Sequence, residues 1–465
     1  MSAYDLIILG SGPGGYVSAI RASQLGLKAA IVEKKSLGGV CLNVGCIPTK
    51  ALLRNAEVAR TLMEGSKEFG FSFDNLTLDF ESAFKRSRQV SQRLVRGVGF
   101  LMKKNNIDVF NGFARIISNG TVEITLEDGS QKLIETKNII IATGANPLQI
   151  PGLNVDDEKV INYESAIMLN KRPDSAIIIG AGAIGVEFAT IWSSYGTDVT
   201  LVEMMPHLLP LEDEDASIEL ERVFKKRGIK FHTNTKVKSA EATTTGSKVV
   251  IEGEDGENTL EADITLVSIG FRANSQGLGL EALGVALDKR GFVIIDDRMA
   301  TNIPGIWAVG DVTGKLMLAH VASTMGINAA ENIAGLETAK LDYQMMPHAT
   351  FCFPQVAGFG LSEAQARQAG FEVKTGKFPF QAIGKALGLG EYAGFAKIIM
   401  NEQNGEILGA SLVGPEVSEL LPELTLARSN HLKVAAIARN VHTHPTLSEV
   451  LMAAAEDAEG YSIHG

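Results

Sequence analysis

Hydrophobic positions in this chain gather into short solid runs, and two of those runs open the same pattern. From Tyr4 to Leu9 an apolar stretch of strand length leads into Gly10-Ser11-Gly12-Pro13-Gly14-Gly15. A helix-like segment follows, Tyr16 to Leu25, then a second apolar run, Lys28 to Val32, that ends at Glu33. Solid apolar runs on either side of a helix predict parallel strands buried on both faces. The unit recurs from Ile177 to Glu203. Gly10, Gly12, Gly15, Gly26 and Glu33 each meet an identical residue 170 positions on, at Gly180, Gly182, Gly185, Gly196 and Glu203, with Ala19 and Ala189 in the same register. Glycines at these places allow a tight turn, let a pyrophosphate reach a helix N-terminus, and permit close packing of helix on strand. One such turn can be purely structural. Two in register, each closed by a carboxylate placed to accept both ribose hydroxyl hydrogens, point to two dinucleotide sites. A carboxylate at Glu203 repels a 2′-phosphate, and Met204-Met205-Pro206 offers no arginine to receive one, so the second site is expected to take NAD rather than NADP.

The rest of the pattern places these units in a larger frame. Ala51 to Asn106 reads as long helical segments, and Ile107 to Thr136 as β-rich stretches with turns at Asn119-Gly120 and Asp128-Gly129. Apolar strands at Asn138–Ala142, Ile264–Ile269 and Gly305–Val309 stop at Thr143-Gly144, Gly270 and Gly310-Asp311, as strands do at the ligand-binding carboxyl edge of a parallel sheet. Any one of these stops can equally be a plain strand-end turn. Beyond Met345 a β-rich stretch with an Asn404-Gly405 hairpin signal gives way to helical patterns from Val417.

Length and charge narrow the function. A chain of 465 residues exceeds one hydrophobic core, and the net charge of −11 argues against general nucleic-acid binding while permitting a basic protein partner. There is no apolar run of membrane-span length and no basic lead before Leu6, so the mature chain is expected to begin at its N-terminus, in the cytosol. Three cysteines cannot staple a fold of this size, yet Cys41 and Cys46 stand five positions apart in Gly38-Gly39-Val40-Cys41-Leu42-Asn43-Val44-Gly45-Cys46-Ile47-Pro48-Thr49-Lys50, just after Glu33. Residues five apart on a regular helix lie about 8.7 Å apart between Cα atoms, against about 4.4–6.8 Å for a disulfide, so a bond here requires a broken helix, with Gly45 giving the freedom. Cys352 has no neighbour in sequence and reads as structural. Dithiol chemistry needs a base, and His442-Thr443-His444-Pro445-Thr446-Leu447-Ser448-Glu449 offers a histidine with a carboxylate able to orient it, although two solvated loop histidines would look the same. Lys50 and Glu187 alone read as a surface lysine and a helix-start carboxylate.

Taken together, these segments resemble the class I pyridine nucleotide-disulfide oxidoreductases over essentially the whole chain. GGVCLNVGCIPTK at 38–50, ATGANP at 142–147, GAGAIGVEFA at 180–189, GIWAVGD at 305–311, MLAH at 317–320 and HTHPTLSE at 442–449 fall in the family's order. The resemblance implies an α/β fold with two Rossmann-like domains, for FAD and NAD, and a C-terminal α+β domain that makes a homodimer. The expected boundaries are 1–147 and 273–344 for the FAD-binding parts, 148–272 for NAD and 345–465 for the interface. It implies that Cys41 exchanges with substrate, that Cys46 faces the flavin, that His444 is the acid/base oriented by Glu449, and that Lys50 and Glu187 pair near the reactive flavin edge. His444 would serve the other subunit's cysteines. FAD is expected along Gly10, Gly12, Pro13, Gly14, Gly15, Glu33 and Lys34, then Gly39, Val40, Cys41 and Lys50, and further on at Ala114, Thr143, Gly144, Asp311, Met317, Leu318, Ala319 and His320. NAD is expected at Gly180, Gly182, Ala183, Ile184, Gly185, Glu187, Glu203, Val237 and Gly270. No metal site is expected.

Within the family the pattern is most like members that oxidise dihydrolipoyl groups on a carrier, so a lipoylated acyltransferase or H-protein of a multienzyme complex is the implied partner. Gly270-Phe271-Arg272-Ala273-Asn274 lacks the family's frequent double arginine, and Val321-Ala322-Ser323 replaces a commoner charged stretch. A sister reductase acting on another thiol and a non-enzymatic complex subunit remain as alternatives. The end of the chain has no cysteine pair, and Glu203-Met204-Met205 is not a phosphate-binding run, which disfavours two of those sisters.

Overall fold

The computed structural model describes residues 3–464, so the expected start of the mature chain at Met1 lies outside the described residues. The chain divides into two compact units. One comprises Met1–Ala51, Phe84–Gln149 and Gly270–Tyr343, the other Leu52–Ala83, Ile150–Ile269 and Gln344–Gly465.

In the first unit, β1 (Tyr4–Leu9), α1 (Pro13–Gln24) and β2 (Ala29–Glu33) form the expected βαβ turn, followed by α2 (Gly39–Asn43), α3 (from Cys46) and α4 (Phe80–Lys104). β3 (Asp108–Ser118), β2, β1, β5 (Gln131–Ile141) and a short strand, Ile306–Ala308, lie side by side in parallel. The centre of this sheet is the solid apolar run itself: Leu6, Ile7, Ile8, Ile31, Ile139, Ile140 and Ile141 are fully buried. β3 and β5 are longer than the sequence suggests because each serves two sheets. Their outer halves pair antiparallel with β4 (Thr121–Leu126), through the turns at Asn119-Gly120 and around Gly129. A later helix, Ala319–Ile333, presses on α1 closely enough that a Cβ on Gly326 would stand 2.5 Å from the Gly14 carbonyl oxygen.

The second unit repeats the plan. Lys230–His232, Asp198–Val202, Ser175–Ile179, Ile264–Val267 and Val160–Ile161 form a parallel sheet in that order, beside an antiparallel meander of Lys236–Ala242, Ser247–Gly253 and Gly256–Ala262. The C-terminal part of this unit is a five-stranded antiparallel sheet, ordered His348–Thr350, Gln355–Gly360, Ile407–Gly414, Phe395–Asn401, Val373–Pro379. The Asn404-Gly405 signal does sit in the connection between two paired strands, Phe395–Asn401 and Ile407–Gly414, with Gly405 at φ +75°. Helices Val417–Ser429 and Glu449–Glu459 pack on this sheet, the second over Gly376, where a Cβ would meet the Ala454 carbonyl oxygen at 2.0 Å. A buried lysine joins the two halves of this unit. Lys397 on the antiparallel sheet meets Asp213 at 3.0 Å, Asp215 at 2.9 Å and Glu363 at 2.9 Å. Burial alone would lower its pKa, but three carboxylates outweigh that and raise it above the ordinary lysine value. Among the described residues no helix is long and apolar enough to cross a membrane.

Candidate functional site

The two glycine turns are nearly superimposable in their chemistry. Gly10 and Gly180 both take positive φ, +100° and +93°, in turns too tight for a side chain. A Cβ on Gly15 would stand 2.0 Å from the Gly10 carbonyl oxygen, and one on Gly185 2.1 Å from that of Gly180. The middle glycines are different: a Cβ at Gly12 or Gly182 would meet nothing within 4 Å. Each is the N-cap of a twelve-residue helix that no side chain caps. An open glycine before an uncapped helix N-terminus is the arrangement that holds a phosphate, so both turns fit the dinucleotides expected of them. The carboxylates close each turn in the same way. Glu33 Oε2 accepts from the Ser11 N–H at 2.8 Å and Oε1 from the Lys35 N–H at 2.7 Å. Glu203 Oε2 accepts from the Ala181 N–H at 2.7 Å and Oε1 from the Met205 N–H at 2.9 Å. The first turn adds one bond that the second lacks, from Ser11 Oγ to Glu33 at 2.6 Å.

The cysteines belong to the first turn. A Cβ on Gly39, which has φ +60°, would meet the Gly12 Cα at 2.7 Å, so α2 lies directly on the glycine turn. Cys41 sits in α2, and the helix then breaks at Val44 and Gly45 as the disulfide geometry requires. Cys46 opens α3, Cys46–Glu64, a nineteen-residue helix whose N-terminal dipole favours a thiolate. The two sulfurs lie within hydrogen-bonding reach of each other. That bond and burial push the Cys41 thiol up, Lys50 pulls it down and Asp311 pushes it up again.

Other residues expected along the flavin gather in the same unit. Ala114 is buried on β3, and Thr143 hydroxyl donates to the Asn274 carbonyl at 2.7 Å, while the Asn274 amide returns a bond of 3.0 Å to the Thr143 carbonyl. Asp311 lies in a short turn after the strand Ile306–Ala308, where desolvation pushes its carboxyl up to about 6. Met317 and Leu318 lead into the helix that begins at Ala319-His320, whose N-terminus also has no side-chain cap.

In the second unit Glu187 is buried on the helix Ala183–Ser194, and its carboxylate accepts the Phe351 N–H at 3.0 Å. Val237 packs against the apolar core of the meander; Gly270, the next residue expected at this nucleotide, opens a segment of the first unit and is exposed at φ +115°. Cys352 is fully buried, its thiol donating to the Pro354 carbonyl at 3.0 Å, which suits the structural role expected of it.

The histidine segment separates two residues that only the family resemblance, and not the residue pattern itself, told apart. His442 is spent on structure: its ring nitrogens meet the Asn440 carbonyl and Glu423, each at 3.0 Å. His444 holds Glu449 through Nδ1 at 2.9 Å, and its side chain is 78% exposed, so Nε2 faces outward. Glu449 is the first residue of the helix Glu449–Glu459, and its other oxygen accepts the Thr446 N–H at 2.8 Å. Burial opposes its ionisation, but that N–H and the histidine outweigh burial and hold the carboxyl below its usual range. A carboxylate fixed on one ring nitrogen leaves the other to move a proton.

Sequence reasoning missed Ser11 as a partner of Glu33, and it missed Asn43 and Arg88 at the C-terminal end of α2. Arg88 of α4 donates to the Asn43 carbonyl at 2.7 Å across 45 positions of chain. Nothing in a strongly charged helix marks one arginine out from its neighbours.

Comparison with known proteins agrees with this geometry. Residues 4–326 match the pyridine nucleotide-disulphide oxidoreductase family, and residues 346–455 match that family's dimerisation domain. The chain is 49% identical to the dihydrolipoyl dehydrogenase of Mycobacterium leprae across 100% of both chains, and 43% identical to that of Bacillus subtilis across 99% of both. Among solved structures it resembles LpdA from Mycobacterium tuberculosis, with a TM-score of 0.90 at 27% identity over 97% of this chain and 98% of that one. It also resembles an HOCl-induced flavoprotein disulfide reductase from Escherichia coli, with a TM-score of 0.86 at 27% identity over 96% and 98%.

Proposed function

The chain belongs to the pyridine nucleotide-disulphide oxidoreductases, and from that premise we propose that it oxidises dihydrolipoamide carried on a lipoylated protein and passes the electrons to NAD. The observation that carries the reading is the attachment of the Cys41–Cys46 pair to the first glycine turn through Gly39 and Gly12. Identity of 49% and 43% to dihydrolipoyl dehydrogenases along the full chain supports the choice of substrate.

His444 Nε2 takes a proton from one substrate thiol while Glu449 holds Nδ1. The resulting thiolate attacks Cys41 sulfur, the Cys41–Cys46 bond breaks, and Cys46 leaves as a thiolate stabilised by the start of α3. The second substrate thiol then resolves the mixed disulfide at Cys41, releasing the oxidised cyclic disulfide, so two electrons now reside on the cysteine pair. FAD, when bound along Gly10–Gly15, Glu33 and Asp311, supplies the two-electron carrier that links this pair to NAD. Gly180–Gly185 and Glu203 would hold the nicotinamide nucleotide. The dimerisation domain supports a homodimer, in which we place His444 against the partner's cysteines. The four-part division at 147, 272 and 344 belongs to the same reading.

Assaying NAD reduction with dihydrolipoamide beside glutathione and other thiols tests the substrate. A clear preference for dihydrolipoamide is expected, and an equal or greater rate with another thiol overturns it. Mixing Cys41→Ser with His444→Gln subunits should restore one intact site per heterodimer. A folded, inactive heterodimer would place the histidine on its own subunit's cysteines.

A further inference from the structure

We propose that Arg88 is a positioning residue for the cysteine pair, holding α2 so that Cys41 stays in register with Cys46. The inference rests on the reading of Cys41 and Cys46 as the redox couple. α2 has only five residues, Gly39–Asn43, too few to hold itself as a helix. It is fixed at both ends by side chains. At its C-terminal end the Arg88 guanidinium donates to the Asn43 carbonyl at 2.7 Å, and its other amino nitrogen reaches Ser91 Oγ at 3.3 Å. At its N-terminal side the Asn43 amide folds back to donate to the Leu37 and Gly39 carbonyls, both at 2.9 Å. A guanidinium on the last carbonyls of a helix satisfies an acceptor that has no intrahelical partner and complements the dipole. The neighbouring Arg86 on the same helix, α4, donates to the Ala51 carbonyl of α3 at 3.1 Å. One long helix therefore reaches both segments that carry a cysteine.

This anchoring has a chemical consequence. Cys41 lies within hydrogen-bonding reach of Cys46. A pair held together when reduced has a high effective concentration of one thiol for the other, which favours reclosure of the disulfide. Releasing α2 lets Cys41 move away and favours the dithiol. The groups that face the pair, Lys50 on α3, Asp311 in its turn and Tyr16 on α1, are untouched by such a change. Arg88 itself is partly desolvated, which lowers its pKa but leaves it a cation at any working pH.

The test is the equilibrium of the full-length flavoprotein with glutathione buffers. Two glutathione thiols give two electrons and two protons to the Cys41–Cys46 bond, yielding the dithiol and one glutathione disulfide. Acid quenching, alkylation and mass measurement read the fraction closed, with buried Cys352 alkylated equally in every state. Arg88→Met should lower the equilibrium constant for the closed form about ten-fold, the scale of one hydrogen bond to a charged group. Arg88→Lys, which keeps a charged donor, should recover most of it, and Asn43→Ala should shift it the same way as Arg88→Met. Reduction of menadione by NADH, which bypasses the cysteines, should stay within two-fold of the parent protein in each variant. A wild-type equilibrium in Arg88→Met overturns the proposal, as does Arg88→Lys failing as badly as Arg88→Met. Should Arg88→Met not retain flavin, an unchanged equilibrium in Asn43→Ala overturns it. If the parent protein forms no disulfide in these buffers, it is the redox reading of the pair that falls.

Discussion

The turn at Gly10–Gly15 and the turn at Gly180–Gly185 are built alike, with the same positive-φ glycine, the same close carbonyl contact and a glutamate bound to the same two backbone N–H groups. They differ in what is packed around them. Gly14 in the first turn admits the Ala319–Ile333 helix against α1, where the second has Ile184, and Gly12 carries α2 with its cysteine. The second turn instead leads into a helix whose buried Glu187 is tied to the Phe351 backbone. A dinucleotide cradle is thus a generic part, and the redox chemistry comes from the segment set against it.

The hardest test of the comparison is to spoil each cradle in turn. Alanine at Gly15 or Gly185 would bring a Cβ to about 2 Å from a fixed carbonyl oxygen. Gly15→Ala should give a protein without flavin colour. Gly185→Ala should stay yellow but lose reduction by NADH roughly 100-fold or more. The same spectrum from both variants would break the assignment of different nucleotides to the two turns.

Next in size is the chemistry attached only to the first turn. Cys41→Ser should lower dihydrolipoamide turnover roughly 1,000-fold or more, while NADH-dependent menadione reduction persists, because only the first reaction needs the Cys41–Cys46 disulfide to accept the substrate thiolate. His444→Gln should behave likewise. Loss of both activities together would mean that the cysteine segment also supports the cradle.

A third test exchanges the character of the second turn. Removing the carboxylate and adding a cation in Glu203→Ala/Met204→Arg should raise the kcat/KM ratio of NADP to NAD by about 10- to 100-fold, the range of one charged contact. An unchanged ratio would show that the ribose is read elsewhere.

Asp311 gives the first unit a pH signature carried by one buried carboxyl. Its carboxyl is pushed up to about 6 from 3.8, so between those values the folded protein binds more protons than the unfolded chain. Its contribution to the stability of the flavin-free protein should therefore fall as pH rises through that window, by about 2 kcal/mol after discounting for solvent contact, while carboxylates held low, such as Asp215, Glu363 and Glu449, act in the opposite sense. Urea titrations from pH 4 to 7 measure it, and Asp311→Asn should remove this component of the slope.

The smallest expected effect is the finest point of the comparison. Ser11→Ala makes the first turn like the second by deleting the hydroxyl bond to Glu33, and should weaken flavin binding by roughly five-fold, about 1 kcal/mol. No change in flavin affinity by fluorescence would show that the two backbone bonds suffice.

Much of the site was readable because its determinants are local. The glycines, Glu33 and Glu203 lie within one βαβ unit, the two cysteines are five positions apart, and Glu449 follows His444 by five, so spacing alone carries the geometry. The break between α2 and α3 was foreseen from the reach of a disulfide. Strand lengths were less legible: β3 and β5 extend past their apolar cores because their outer halves belong to a second sheet.

What the sequence by itself determined is the repeated turn, the redox pair and the order of the segments, all set by backbone freedom and short-range spacing. Tertiary structure decided which of two histidines is available, since His442 is consumed by Glu423 and Asn440 while His444 keeps one nitrogen outward. It decided too that Arg88 meets Asn43 across 45 positions, Asn274 meets Thr143 across 131, and Phe351 meets Glu187 across 164. Such partners share no period along the chain. They are brought together by the packing of sheets and helices, and that packing is fixed by the whole buried surface rather than by any one segment.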